Sequence, residues 1–203
     1  MKRKSIFIKK RIAITKYLMV LLGGVVLFSS SVWEGKGFIG DILFSVGAVL
    51  ASIATVGRIW CSAYISGYKV NTLITIGPYS MCRNPLYFFS LLGAIGVGFA
   101  TETFSIPLVI LISFALQYTY VIDYEESRLL TEHKTTFEEY MKKVPKFFPS
   151  FRLFEDTEEY IIKPKIFRRR LFDSLWFVWL LGVLELISAL HTHGIVPTFI
   201  NLY

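Results

Sequence analysis

FIGDILFSVGAVLASIATVGRIW, residues 38–60, decides the class of this protein. Twenty-three residues in a row carry only Asp41 and Arg58 as charges. At 1.5 Å per residue a helix needs roughly 20 apolar residues to cross about 30 Å of hydrocarbon. The stretch therefore predicts a membrane-spanning helix. The whole chain agrees: of its 203 residues, 54% are hydrophobic and 18% charged, with a mean hydropathy of +0.53. The charges sit in short crowded segments between long apolar ones, a bilayer pattern and not that of a soluble core.

Working outward, four more spans are expected. One precedes it, from Tyr17 to Trp33, joined through Glu34-Gly35-Lys36-Gly37 in a tight helical hairpin. Two follow, about Leu86 to Ala100 and Phe104 to Ile122, joined at Thr101-Glu102-Thr103 as a second hairpin whose first arm is short for a full span. The last runs from Leu171 to Leu190 after a long polar segment. Glycines 23, 24, 47, 93, 96 and 98 are expected to let the helices approach closely. The result is an all-α polytopic membrane protein, a single membrane domain over 1–203 with about five transmembrane helices. A connector at 150–170 precedes the last of them, at 171–190.

Basic residues set the expected orientation. Of 22 Lys and Arg, 21 fall on one side of this arrangement and only Lys36 on the other. The N-terminus is expected in the cytoplasm and the C-terminus outside. No small-residue cleavage site follows the first apolar run, so it reads as a span and not as a signal peptide. The net charge of +7 is explained by these membrane-end residues, with Arg168, Arg169 and Arg170 placed to meet lipid phosphates, and no nucleic-acid partner is expected. Cys61 and Cys82 have neither redox nor metal spacing. His191 and His193 lack a third ligand nearby, so no metal is expected. Glu185 lies mid-span, where a carboxylate needs a polar partner or carries function.

Two polar segments press directly against spans. In Gly77-Pro78-Tyr79-Ser80-Met81-Cys82-Arg83-Asn84-Pro85-Leu86-Tyr87 the second proline falls in a first helical turn, where it costs no hydrogen bond. That places Arg83 and Asn84 at a helix N-terminus, a setting for a carboxylate or phosphate. Arg83 alone reads equally well as a side chain reaching the headgroups. The second segment, from Asp123-Tyr124-Glu125-Glu126 to about Lys143, is helical, with a capping-box pattern at Thr135 and Glu138. Glu125 and Glu126 stand at the membrane boundary and call for a cationic partner, either Arg83 or a ligand.

Together these residues resemble the isoprenylcysteine carboxyl methyltransferase and phospholipid methyltransferase family of integral membrane enzymes. The resemblance rests on Gly77 to Tyr79, Arg83 to Tyr87, Glu125-Glu126, Tyr140 and Val144-Pro145, and it spans about 71–149. It implies a membrane-embedded methyltransferase with a cytoplasmic S-adenosylmethionine pocket formed by the segments between helices. Asn71, Thr72, Leu73, Ile74, Tyr79, Asn84, Pro85, Leu86, Tyr87 and Glu125 would contact that cofactor, with Tyr64 a weaker candidate. Arg83 would position the acceptor or brace the pocket, and Glu126 or Asp123 is the base candidate for an amine acceptor. The acceptor itself is a lipid or lipophilic molecule bearing a carboxylate, phosphate, amine or thiol.

This chain departs from the carboxyl methyltransferases at two positions. Asn84 stands where they carry His, so no imidazole titrates there. Val121 stands where they carry an Arg linked to the substrate, so a prenylcysteine acceptor is not implied. Two other readings remain at this level: an NADPH-dependent membrane reductase of the sterol reductase type, which would need more basic residues around its pocket, and a non-enzymatic membrane subunit.

Overall fold

The computed structural model of the chain describes residues 2–33, 38–66, 68 and 72–203, and side chains from Ala13 onward within them. The elements run in the order α1 (Lys2–Phe28), β1 (Ser29–Ser31), α2 (Phe38–Ile65), α3 (Pro78–Met81), α4 (Pro85–Phe99) and α5 (Ser105–Lys143). After a 3-10 turn at Phe151–Leu153 come α6 (Pro164–Ser174), α7 (Trp176–Thr192) and β2 (Ile200–Leu202). Leu175 keeps right-handed helical angles, so α6 runs almost directly into α7. Phe38–Ile65, Ser105–Lys143 and Pro164–Thr192 are each long and apolar enough to cross a membrane, with Ala13–Phe28 and Pro85–Phe99 as shorter apolar helices. The protein is an all-α polytopic membrane protein, as its composition requires.

The centre of the bundle is the α2–α4 seam, and glycine makes it. A Cβ on Gly47 would stand 2.5 Å from the Gly96 carbonyl, and one on Gly96 would stand 2.7 Å from the Gly47 carbonyl. Bare backbones therefore touch, with Ala51 and Ala54 fully buried beside them. With no hydrophobic driving force between helices in lipid, such close contact is what holds them together. Gly98 does the same against Pro107 of α5. In contrast, a Cβ on Gly23 or Gly24 would meet no neighbouring element within 4 Å, so these two glycines do not serve packing as expected. Helix α4 has 15 residues and is about 22 Å long by helical rise, short of the hydrocarbon thickness.

The first span differs from expectation. Its helix ends at Phe28, and Ser29–Ser31 form a strand that pairs in parallel with Ile200–Leu202. Three consecutive serines favour this, because short hydroxyl side chains bond locally in competition with a helix. Ser31 Oγ donates to the Glu102 carbonyl at 2.7 Å, and Ser30 Oγ donates to Asn201 Oδ1 at 2.8 Å. Nor do the first two spans pack as a tight hairpin. Helix α1 meets α5 instead, with Thr15 Oγ1 donating to Gln117 Oε1 at 3.0 Å. The turn expected at residues 34–37 lies outside the described residues. The Tyr203 carbonyl accepts from the backbone N–H groups of Phe104 and Ser105 at 2.9 and 2.7 Å, closing the start of α5.

Successive spans alternate direction, so one end of the bundle gathers the residues before α3 and α4, the far end of α5 and the start of α6. That is the end with the polar segments.

Candidate functional site

The site is built where chain segments with turn chemistry meet the C-terminal half of α5. Gly77 has φ +60°, which only glycine adopts at no cost, and a Cβ there would fall 2.3 Å from the Tyr64 ring. The chain turns sharply there into the single turn α3. Cys82 is extended, Asn84 is the N-cap of α4 and Pro85 its first residue, as the Arg-Asn-Pro spacing predicts. Helix α5 continues far past its apolar part and changes direction at Lys134, which has φ 46° and ψ −119°. The sequence predicts one continuous helix to about Lys143; the break falls one residue before Thr135, the first residue of the capping-box pattern. The last turns of α5 then fold over the pocket, and Val144-Pro145 ends them.

Arg83 locks these segments together. Its Nε donates to Glu126 Oε1 at 2.9 Å and its Nη2 to Glu126 Oε2 at 3.2 Å, a two-pronged ion pair. Its Nη1 donates to the carbonyls of Met141 and Val144 at 2.9 and 3.0 Å, while its backbone N–H reaches the Pro145 carbonyl at 2.9 Å. Asn84 Nδ2 adds a bond to Glu126 Oε1 at 2.9 Å and one to the Lys146 carbonyl at 3.0 Å. Tyr140 donates its hydroxyl to the Tyr79 carbonyl at 2.5 Å. Further out, the Gly77 N–H reaches the Glu155 carbonyl at 2.7 Å, and Tyr64 bonds Asp156 and stacks on Tyr160.

These contacts border a half-open cavity of about 180 Å³ lined by Ile65, Tyr68, Thr72, Leu73, Ile74, Tyr79, Arg83, Asn84, Glu126, Leu129, Phe137 and Tyr140. Seven residues singled out in the sequence are in that lining. Pro85, Leu86, Tyr87 and Glu125 are not: α4 carries the first three away from the cavity. Neighbouring residues on a helix point about 100° apart, so Glu126 and Glu125 cannot both face it. Glu125 accepts the Tyr87 hydroxyl at 2.7 Å on the rim. Tyr64 also lies outside the lining, and Asn71 outside the described residues. Sequence reasoning missed Ile65, Tyr68, Leu129, Phe137 and Tyr140 as wall residues. Leu129 at i+3 from Glu126, and Phe137 with Tyr140 at i,i+3, carried the helical-face signal that would have found them.

Burial pushes the Tyr79 phenol well above its usual range, reinforced by the thiol of Cys61 and the phenol of Tyr140. Burial likewise raises the Cys82 thiol to about 12, against smaller lowering contributions from the Asn84 backbone and the Arg83 charge. Neither is poised as a base or nucleophile near neutral pH. Glu126 has both oxygens committed to Arg83 and Asn84, which suits a brace better than a proton acceptor. The pocket offers aromatic faces, one engaged ion pair and apolar walls.

A polytopic helical protein with a polar-braced pocket between the end of α2, the start of α4 and the second half of α5 is the class these features define. Residues 36–134 match the phospholipid methyltransferase family, and the chain belongs to that family. The match ends at Lys134, the bend in α5, so Phe137 and Tyr140 lie beyond it. The chain is also 37% identical, over 96% of its own length and 89% of the relative's, to the cobalt-zinc-cadmium resistance protein CzcN of Cupriavidus metallidurans. It is 35% identical, over 98% and 92%, to the nickel-cobalt-cadmium resistance protein NccN of Alcaligenes xylosoxydans xylosoxydans. No solved structure matches it.

Proposed function

We propose that this protein is an S-adenosylmethionine-dependent methyltransferase that modifies a lipid or lipophilic acceptor from a pocket at the cytoplasmic membrane face. The observation that carries this reading is the cavity beside the Arg83–Glu126 pair in a chain of the phospholipid methyltransferase family. Bound there, S-adenosylmethionine supplies a methyl group on a sulfonium, an electrophile whose leaving group is already activated. The faces of Tyr68, Tyr79 and Tyr140 suit a sulfonium by cation–π attraction, of order 0.5 to 2 kcal/mol. Ile65, Leu73, Ile74, Leu129 and Phe137 exclude water from it. Thr72 and the hydroxyls of the lining tyrosines would meet its polar groups, with Asn71 beside Thr72 in sequence.

In this reading Arg83 and Glu126 are positioning residues. They tie α4 to α5 and to the strap after Val144, and so set the depth of the pocket. Tyr87 and Glu125 form the rim toward the bilayer, where the acceptor arrives. A carboxylate, phosphate or thiolate acceptor needs no base, and an amine would pass its proton to Glu125 or Asp123 on that rim. Orientation is taken from the sequence, where 21 of the 22 Lys and Arg fall on the side of the polar segments.

The NADPH-dependent alternative is disfavoured by the charge of the pocket. Arg83 is the cationic side chain among the described lining residues, and it is fully engaged by Glu126 and main-chain carbonyls. The relatives' names add a second reading, a part in resistance to cobalt, zinc, cadmium or nickel. Methylation of a membrane component is how the site described above would serve it.

The test is transfer of a tritiated methyl group from S-adenosylmethionine to a total lipid extract by the purified protein in nanodiscs. Label entering the lipid fraction, lost on filling the pocket with Leu129→Trp, supports the reading. No label in any fraction from a protein that is folded overturns it.

A further inference from the structure

Arg58 is the sole charge between Asp41 and Lys69, and the mechanism above makes no use of it. It lies seven residues before the end of α2 at Ile65, about 10 Å along the helix. A guanidinium at that depth ordinarily reaches for the polar layer. This one turns sideways. Its Nη1 donates to Ser90 Oγ of α4, its Cζ stands 5.7 Å from the centre of the Phe177 ring of α7, and its Nε is buried with no hydrogen-bond partner. Asp173 is the carboxylate whose charge reaches it, but no ion pair joins the two, and a second cation, Arg170, is also within reach. Positive charge is thus left over at the junction of α2, α4 and α7. A cation shielded from water without an anion is costly, and an anionic partner is what relieves it.

The surroundings fit a lipid-borne anion. No residue of α7 is buried, so that helix presents much of its surface to lipid while packing on α2 and α4. The Phe177 ring lies against Gly93, where a Cβ would come within 2.8 Å of it, and it covers Arg58 from the α7 side. Ser90 is six residues along α4 from the pocket residue Asn84, about 9 Å by helical rise, within the length of a lipid headgroup. Tyr87 and Glu125 of the rim lie between those levels.

We propose that Arg58 seats the anionic group, a carboxylate or phosphate, of the lipophilic methyl acceptor at the junction of α2, α4 and α7, with Phe177 as its cover. This rests on the methyltransferase reading. It narrows the acceptor to an anionic amphiphile, held by charge below the pocket while its reactive group reaches upward.

The test uses the full chain in neutral detergent and reads quenching of tryptophan fluorescence, since Trp60 is two residues from Arg58 and Trp176 adjoins Phe177. The probes are dibromostearate in its ionised form, its methyl ester and a brominated phosphatidate, with inorganic phosphate as a competitor. We expect the two anionic lipids to bind about tenfold or more tightly than the ester. Arg58→Gln erases that difference, Arg58→Lys keeps part of it, and Phe177→Ala retains it. Displacement by inorganic phosphate would assign the site to a free anion and overturn the lipid assignment. Equal quenching by acid and ester in the unaltered protein overturns the proposal without any variant, so a misfolded Arg58→Gln does not leave it open. Calorimetry with S-adenosylmethionine on the same samples separates the two readings. Binding of that ligand with equal quenching sinks only the Arg58 assignment; absence of its binding sinks the methyltransferase reading.

Discussion

Arg83 at the start of α4 and Glu126 in the middle of α5 form a two-pronged ion pair at 2.9 and 3.2 Å, with 11% and 12% of their side chains exposed. Breaking such a buried pair from one side leaves an uncompensated charge, at a cost of about 3–5 kcal/mol. Glu126→Gln and Arg83→Ala are each expected to lower thermal stability in detergent by that order. The double replacement of Arg83→Ala with Glu126→Gln is expected to cost less than the sum of the two single changes. Additive losses would show that the two residues do not act as a unit.

Gly77 is expected to tolerate no side chain. Gly77→Ala demands a left-handed φ of +60° and puts a methyl group 2.3 Å from the Tyr64 ring, so a loss of about 1–3 kcal/mol is expected from strain before any clash is counted. Coupling Gly77→Ala to Tyr64→Ala, read by thermal unfolding, recovers the part due to the clash and leaves the part due to φ.

Lys134 carries the opposite prediction. Its φ of 46° with ψ −119° is a conformation natural to glycine. Lys134→Gly is expected to raise stability by about 1 kcal/mol, because the relieved strain exceeds the added freedom of the unfolded chain. A fall in melting temperature would mean that the lysine side chain holds the bend by contacts of its own.

The expected pH dependence is alkaline. Cys82 ordinarily titrates near 9.0 and is raised to about 12 in the fold, and Tyr79 is raised in the same direction. The folded protein keeps protons that the unfolded chain gives up, so this stability is complete below about pH 9 and is lost as pH rises toward 12. Denaturant midpoints measured upward from neutrality check this, and Cys82→Ala is expected to flatten the decline. The protonated, buried thiol is also expected to resist alkylation until the protein is unfolded.

Much of this architecture was legible because the bilayer imposes simple rules. The α2 stretch, the start of α4 at Pro85 and the end of α5 at Lys143 follow from apolar length, proline chemistry and charge. The bend at Lys134 was not legible: the segment reads as one helix, although a capping-box pattern begins at the next residue. The rest of what escaped was tertiary. Nothing local to Ser29–Ser31 announces a strand partner at Ile200–Leu202, some 170 residues away. Gly23 and Gly24 look the same in sequence as Gly47 and Gly96, yet only the latter two face another backbone. At the site, the need of Glu125 and Glu126 for a partner was readable, but their division was not. Arg83 takes Glu126 and Tyr87 takes Glu125, because helical geometry turns adjacent carboxylates to different sides.

The most direct measurement is calorimetric titration of the purified protein with S-adenosylmethionine and, separately, NADPH, comparing the unaltered chain with Leu129→Trp, which fills the cavity and leaves the Arg83–Glu126 pair untouched. The account predicts saturable binding of S-adenosylmethionine alone, abolished by Leu129→Trp at an unchanged melting temperature. Binding of NADPH instead, or of neither ligand by a folded sample, would contradict it.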